Sequence, residues 1–274
     1  MTYTIDIVYR WLNPDIDTRS SLRQTRDNNE LKYSLRSLRL LPYVNKIFIV
    51  GKGIPPKWLD LHNDTNHQHR LHWIDESAIQ SPLRSQIPYD SEYAKYIIHL
   101  IDELGEYFIL MDDDYYIGKT VPFEYWFKEY KYPIWPRKVY MSHCPIPMRK
   151  TLYKEAMDRI DIYNESCRIK LKDDDRYYNF KIADRNRFSY DPLICMKVYL
   201  STSHKIELMD RDHILITIKR KHLYPNIIKH ATYCINDIWS DDPNEYKKEM
   251  IIYNKYRETR YPYPSIYELI DIQS

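Results

Sequence analysis

Glycine is scarce in this chain, with four residues in 274. Phosphate cradles of the dinucleotide-binding and P-loop kinds need several glycines where backbone closes on phosphate. The "GKG" at Gly51–Gly53 uses half of the supply and forms neither pattern. Any nucleotide bound here must therefore be held largely by side chains and a cation. Cysteine is sparse as well. Cys144, Cys167, Cys195 and Cys234 include no C-x-x-C pair, which fits neither a common zinc site nor a disulfide framework and leaves buried or incidental thiols. An excess of one charge is missing too: 41 basic and 39 acidic residues leave a formal charge of +2. Binding by counterion release calls for a larger basic excess, so no nucleic-acid partner is expected. No apolar run reaches the ~18 residues of a membrane span, so no transmembrane segment is expected. "MTYTIDIVYR" also lacks the basic-then-apolar order of a signal peptide. These absences describe a soluble, cytoplasmic protein, and they are compatible with peripheral association at the inner face of a membrane.

Tyrosine is abundant, at 28 residues, and suits core packing as well as an extended glycan groove. "TIDIVYRW" and "NKIFIVG" read as strands, being rich in β-branched and aromatic residues. Between them, Leu31, Leu35 and Leu38 recur at helical spacing, with Asp27 as a cap and Glu30 reaching back three residues later. Strand, helix, strand with a long connection predicts a right-handed crossover and a parallel pair. "RLHWID" predicts a third strand, "SEYAKYIIHLIDEL" a helix, and the apolar "EYFILMD" a central parallel strand. Further on, "RKTLYKEAMDRI", "DPLICMKVYL" and "DDPNEYKKEMIIYNKYRE" read as helices and "HILITIK" as a strand. The expected fold is α/β, a mostly parallel central sheet with flanking helices, in one domain spanning 1–274.

The apolar strand runs into Asp112, Asp113 and Asp114. Ligands of open α/β sheets sit outside the carboxyl ends of strands. Adjacent carboxylates there suit a hard divalent cation that takes its other ligands from phosphate and water; a solvated acidic turn is the plainer alternative. Other features are ambiguous alone. Arg26, Asp27 and Asn28 stand at a helix start, where backbone N–H groups and a guanidinium favour an anion. The four histidines of "HNDTNHQHRLH" are irregularly spaced and read as a surface loop. His143 in "MSHCPIP" is a general base, a phosphate ligand or a structural histidine. Arg187 precedes a helix, and Asn236–Asp237 end a strand as a second oxygen source or a plain helix cap.

Taken in order, "IDIVYRW", "RDNNELKYSLRSL…NKIFIV…IPPKWL", "FILMDDDYYIG", "HCPIP" and "CIND…RYPYPSIYE" resemble the Stealth family. That family includes bacterial capsule and cell-wall polysaccharide phosphotransferases and the eukaryotic N-acetylglucosamine-1-phosphotransferase. The resemblance touches four conserved blocks across Ile5–Glu268. It implies a nucleotide-sugar transferase (GT-A-like) core that moves a sugar 1-phosphate from a nucleotide sugar, of UDP-HexNAc type, to a hydroxyl of a glycan or polysaccharide acceptor, with Mg²⁺ or Mn²⁺. It also implies a donor-binding half, 1–125, and an acceptor-side half, 126–274, that closes the site. By position, Asp113 and Asp114 take the metal or catalytic role, while Asp112 stands where relatives carry asparagine. His143 and Arg187 are the catalytic histidine and arginine, and Asn236 and Asp237 are further metal ligands. Tyr9, Trp11, Asn13, Arg26, Asp27, Asn28, Asp90 and Ser91 are substrate contacts. The first block departs from the family pattern, with Asn13 in place of an acid and Pro14 in place of a glycine. A metal-dependent glycosyltransferase that releases nucleoside diphosphate, or an inactive glycan-binding module, would use many of the same residues.

Overall fold

The computed structural model describes residues 3–12, 28–61, 70–81, 93–137, 143–159, 192–217, 229–236 and 242–269. The first strand, β1 (Ile5–Leu12), is apolar on both faces, with Ile5, Ile7, Val8 and Tyr9 all 0% exposed. Such a run fits the interior of a parallel sheet covered on both sides. Helix α1 (Glu30–Ser37) buries Leu31 and Leu35 at one helical repeat and continues into a 3-10 turn, Leu38–Leu40. The helix begins two residues later than the expected cap at Asp27: Asn29, at φ 61°, is the N-cap. The Glu30 carboxylate still reaches back, accepting the Asn28 N–H at 2.8 Å.

Strand β2 (Val44–Lys52) runs parallel to β1, and β3 (Arg70–Asp75) runs parallel to β2. Helix α2 (Tyr93–Ile97) is shorter than its apolar pattern predicts, tightening at once into a 3-10 turn, Ile98–Leu100. The chain must turn there to enter β4 (Tyr107–Asp112). The carbonyls left over at Ile101 and Asp102 accept the Lys150 ammonium at 2.7 and 3.1 Å, in place of the next helical turn. Strand β4 lies parallel to β1 on its other side, and β8 (Ile146–Arg149) pairs antiparallel with β4. The order β3-β2-β1-β4-β8 bears out a mostly parallel sheet. It also puts the reversal of strand order between β1 and β4, the position outside whose carboxyl edge open α/β sheets bind ligands. At the opposite edge the buried Asp6 carboxylate ties three strand starts together. It accepts from the N–H groups of Lys46 (3.1 Å) and Gly105 (2.7 Å) and from the Asn45 amide (3.0 Å).

Among the described residues the rest of the chain adds two small sheets, one of which contains the strand expected at "HILITIK" and the strand that ends in Asn236. Strands β5 (Tyr115–Ile117), β10 (His213–Thr217) and β11 (Thr232–Asn236) form one, with β11 between the others. Strands β6 (Phe127–Lys128), β7 (Tyr132–Pro136) and β9 (Glu207–Met209) form the other. Helices α3 (Lys150–Arg159), α4 (Pro192–Thr202) and α5 (Pro243–Arg260) fall where periodicity predicts them, and Asp242 caps α5 through the N–H groups of Asn244 and Glu245.

One core lies on each face of the central sheet. Val8, Phe48 and Leu110 meet Ile97, Tyr153 and Met196, while Ile7, Ile49 and Met111 meet Leu31, Leu35 and Trp126. A third cluster is built mainly of tyrosine: Tyr33, Tyr116, Tyr233, Tyr253 and Tyr261. The two "GKG" glycines serve packing and turning. A Cβ on Gly51 would stand 2.6 Å from the Trp73 ring, and Gly53 sits at φ 85°.

Candidate functional site

The three aspartates end β4 and form the turn into β5. Their charges are divided among different neighbours. Asp112 is the register partner of Arg10 across the β1–β4 pair. Its Oδ1 accepts from Arg10 Nε at 2.6 Å and also meets Nη2, and its Oδ2 accepts the Tyr115 hydroxyl at 2.8 Å. Burial alone would raise the Asp112 carboxyl. Arg10, Lys95 and the Tyr115 hydroxyl outweigh it and hold the group below the usual carboxylate range. Arg10, Lys95, Asp112, Tyr115 and Cys144 line a cavity of about 10 Å³, too small for a sugar or a phosphate. The first acid thus belongs to an internal ion pair.

Asp114 turns the other way, onto β11. Its carbonyl accepts the Ile235 N–H at 3.2 Å, and its Oδ2 accepts the Cys234 thiol at 3.1 Å. This fixes the aspartate turn against the end of β11, which Asn236 closes. Two blocks far apart in sequence meet there. Asp113 stands between the two anchored acids, and its charge is felt at the Tyr9 hydroxyl.

His143 opens the segment that leads into β8 and is half-buried. Burial lowers its pKa, Asp112 pulls the other way, and Lys95 adds to the lowering. The ring is therefore held neutral in the neighbourhood of Asp112 and Lys95, in the form a proton acceptor needs. Arg211 braces this segment from behind, donating Nη1 to the Pro145 carbonyl at 2.7 Å while its guanidinium lies over the Trp126 and Tyr125 rings.

The expected substrate contacts divide into three groups. Tyr9 is 0% exposed and shares its hydroxyl with Ser34 at 2.8 Å, so it packs β1 against α1. Trp11 is 7% exposed and sets its edge against Trp73. Asn28 is buried at the start of α1, where its side-chain oxygen accepts the Tyr246 hydroxyl from α5. Asn13, Arg26, Asp27, Asp90, Ser91, Arg187 and Asp237 lie outside the described residues, as do residues 62–69 of the histidine-rich stretch.

Residues 24–135 match the family described as Stealth protein CR2, conserved region 2. Curated relatives agree with it. An exopolysaccharide phosphotransferase, CpsY, of Mycobacterium leprae is 29% identical over 140 residues, 44% of this chain and 24% of its own length. A capsular polysaccharide phosphotransferase of Actinobacillus pleuropneumoniae is 29% identical over 45% of this chain and 38% of its own length. The capsular polysaccharide phosphotransferase SacB of Neisseria meningitidis serogroup A is 29% identical over 43% of this chain and 24% of its own length.

Over residues 24–135 this chain is similar to the Stealth family. Its alignments reach between 24% and 38% of those relatives' lengths. Among solved structures, the glycosyltransferase GlyE of Streptococcus pneumoniae TIGR4 aligns with 96% of this chain and 65% of its own, at 10% identity and a TM-score of 0.47. The matched Stealth region runs from the end of the first long connection through β4, the aspartate turn and β7. His143 and β11 lie beyond it, and the fold brings them back to it. Sequence reasoning missed Arg10, Lys95 and Cys234. An arginine one residue before Trp11, at the end of the first strand, was the signal available for Arg10. Nothing local distinguishes Cys234 from an incidental thiol.

Proposed function

We propose that this chain is the catalytic core of a phosphotransferase that moves a sugar 1-phosphate from a nucleotide sugar to a hydroxyl of a glycan acceptor, in capsule or exopolysaccharide synthesis. The observation that carries the reading is the anchored aspartate turn at the carboxyl edge of the sheet, in a chain with a Stealth conserved region. Among the described residues no group of three His, Cys, Asp or Glu forms a closed metal cage. Two carboxylates, Asp113 and Asp114, are still a fitting donor set for a hard ion such as Mg²⁺ or Mn²⁺, which keeps waters and takes phosphate oxygens. Asn236, which closes β11, and Asp237 are the further ligands in this reading. When bound, the cation offsets the pyrophosphate charge and eases departure of the nucleoside monophosphate.

The acceptor oxygen forms a bond to the sugar-linked phosphorus as the bond to the nucleoside monophosphate breaks. His143, held neutral by its surroundings, takes the hydroxyl proton. Arg187 acts on the charge of the transferring group, and Asn13, Arg26, Asp27, Asp90 and Ser91 hold the donor. Positioning and charge stabilisation dominate phosphoryl transfer, so no covalent step on the protein is needed. The donor half is 1–125 and the acceptor half 126–274.

A panel of nucleotide sugars, led by UDP-HexNAc donors, followed by ³¹P NMR with Mg²⁺ or Mn²⁺ tests this. Nucleoside monophosphate together with a new phosphodiester is the expected outcome. Nucleoside diphosphate would assign glycosyl transfer instead, and no turnover of any donor would favour a binding module. Asp114→Ala is expected to lower turnover by about a hundredfold or more with the circular-dichroism spectrum unchanged; full activity would remove Asp114 from the mechanism.

A further inference from the structure

The first of the three acids is paired with an arginine. Asp112 does not merely lie near Arg10. The two are cross-strand partners at the carboxyl ends of β1 and β4, with side chains 12% and 19% exposed. Two guanidinium nitrogens address one carboxylate oxygen, and the Tyr115 hydroxyl occupies the other at 2.8 Å. Asp114, two residues on, is anchored on a different strand through the Cys234 thiol. Adjacent carboxylates are thereby turned to opposite neighbours.

We propose that Arg10 is a specificity-determining residue of the cation site: by holding Asp112 in an ion pair, it limits the cation to the carboxylates that follow. This rests on the reading of Asp113 and Asp114 given above. A cation that recruited Asp112 would stand within a few ångströms of a fixed guanidinium charge, and like charges at that distance repel strongly in a partly buried site. Asp112 would also have to surrender a charge-assisted hydrogen bond and leave Arg10 without it. With Arg10 in place, the cation keeps more coordination positions for phosphate oxygens and water. A site with a third carboxylate would grip the bare ion more tightly, because affinity for hard cations rises with ligand charge. It would also offer fewer positions to the donor.

The test is Mn²⁺ binding followed by electron paramagnetic resonance, with no substrate present, in the wild type, Asp112→Asn, Arg10→Met and the double variant. Asp112→Asn is expected to bind Mn²⁺ within about twofold of the wild type, since that carboxylate is not a ligand. Arg10→Met releases Asp112 and is expected to bind Mn²⁺ about tenfold more tightly. The double variant is expected to lose that gain. A tenfold weakening in Asp112→Asn would make Asp112 a ligand and overturn the proposal, as would an Arg10→Met protein with wild-type affinity. Arg10→Gln serves if the methionine variant does not fold. A wild type that binds no Mn²⁺ overturns the cation in the proposed function, whereas the change on removing Arg10 judges the present inference separately.

Discussion

Cys234 shows how much one buried side chain can carry. It is 0% exposed, and its thiol donates to the carboxylate of Asp114 at 3.1 Å. A thiol is a weak donor, but a partly buried carboxylate oxygen left without its donor costs about 1–3 kcal/mol. Cys234→Ala is therefore expected to lose about 2 kcal/mol of unfolding free energy in urea. Cys234→Ser, which keeps a donor, is expected to lose less. Equal losses in the two variants would mean that sulfur volume, not the hydrogen bond, matters at this position. Cys144 is the contrasting case. Burial pushes its thiol up to about 12, so it stays protonated and acts as a small apolar residue.

At the scale of elements, α1 is the hub between the sheet and the end of the chain. Ser34 on α1 donates to the Tyr115 carbonyl beside the aspartate turn. Toward the other side, Arg257 of α5 is fully buried between the Tyr33 and Tyr253 rings, 4.4 and 3.9 Å from their centroids. Arg36 of α1 makes a two-pronged contact with Glu268, Nε to Oε1 at 2.7 Å and Nη2 to Oε2 at 2.6 Å. Burial would raise the Glu268 carboxyl, but the Arg36 hydrogen bond, the Ser265 N–H and the charges of Arg36 and Lys32 together outweigh it and hold the group low. Removing one partner of such a pair leaves a buried charge. Arg36→Gln is expected to cost about 2–3 kcal/mol and to raise hydrogen exchange in residues 261–269. Unchanged exchange there would show that the isolated bridge of Leu59 with Glu268 holds the segment without Arg36.

For the whole molecule, buried histidines set the response to acid. Burial lowers His99 to about 4 and His213 to about 3, against 6.5 for a free side chain. The unfolded chain takes up these protons near pH 6.5, while the folded chain refuses them until pH 4 or below. Between those values the unfolded state binds more protons, so stability rises with pH. It is expected to be full above about pH 6.5 and to fall as pH drops toward 4, as read from urea midpoints. A flat profile over that window would mean that the two rings are hydrated. Tyrosine also acts at this scale. The Tyr116–Tyr253 and Tyr233–Tyr261 hydroxyl pairs, 2.8 and 2.5 Å apart, assign these rings to packing, not to a glycan groove. Burial raises all four hydroxyls above their ordinary pKa.

Local pattern was enough for the elements whose signal is local. The leucines of α1 and the apolar run of β4 announce their own structure, because side-chain periodicity follows backbone geometry. The aspartate turn was legible for the same reason, as a charged end to a buried strand. Its division of labour was not. Arg10 lies 102 residues from Asp112, and Cys234 lies 120 residues from Asp114. No periodicity spans such distances. Strand order makes the first pairing, since β4 returns beside β1. The short β5–β11 sheet makes the second, and its three-residue strand is too brief to leave a pattern. By itself the sequence determined where the acids stand. Only the tertiary structure decided that Asp112 is paired with Arg10 and that Asp114 is tied to β11, because that depends on the neighbours the fold supplies.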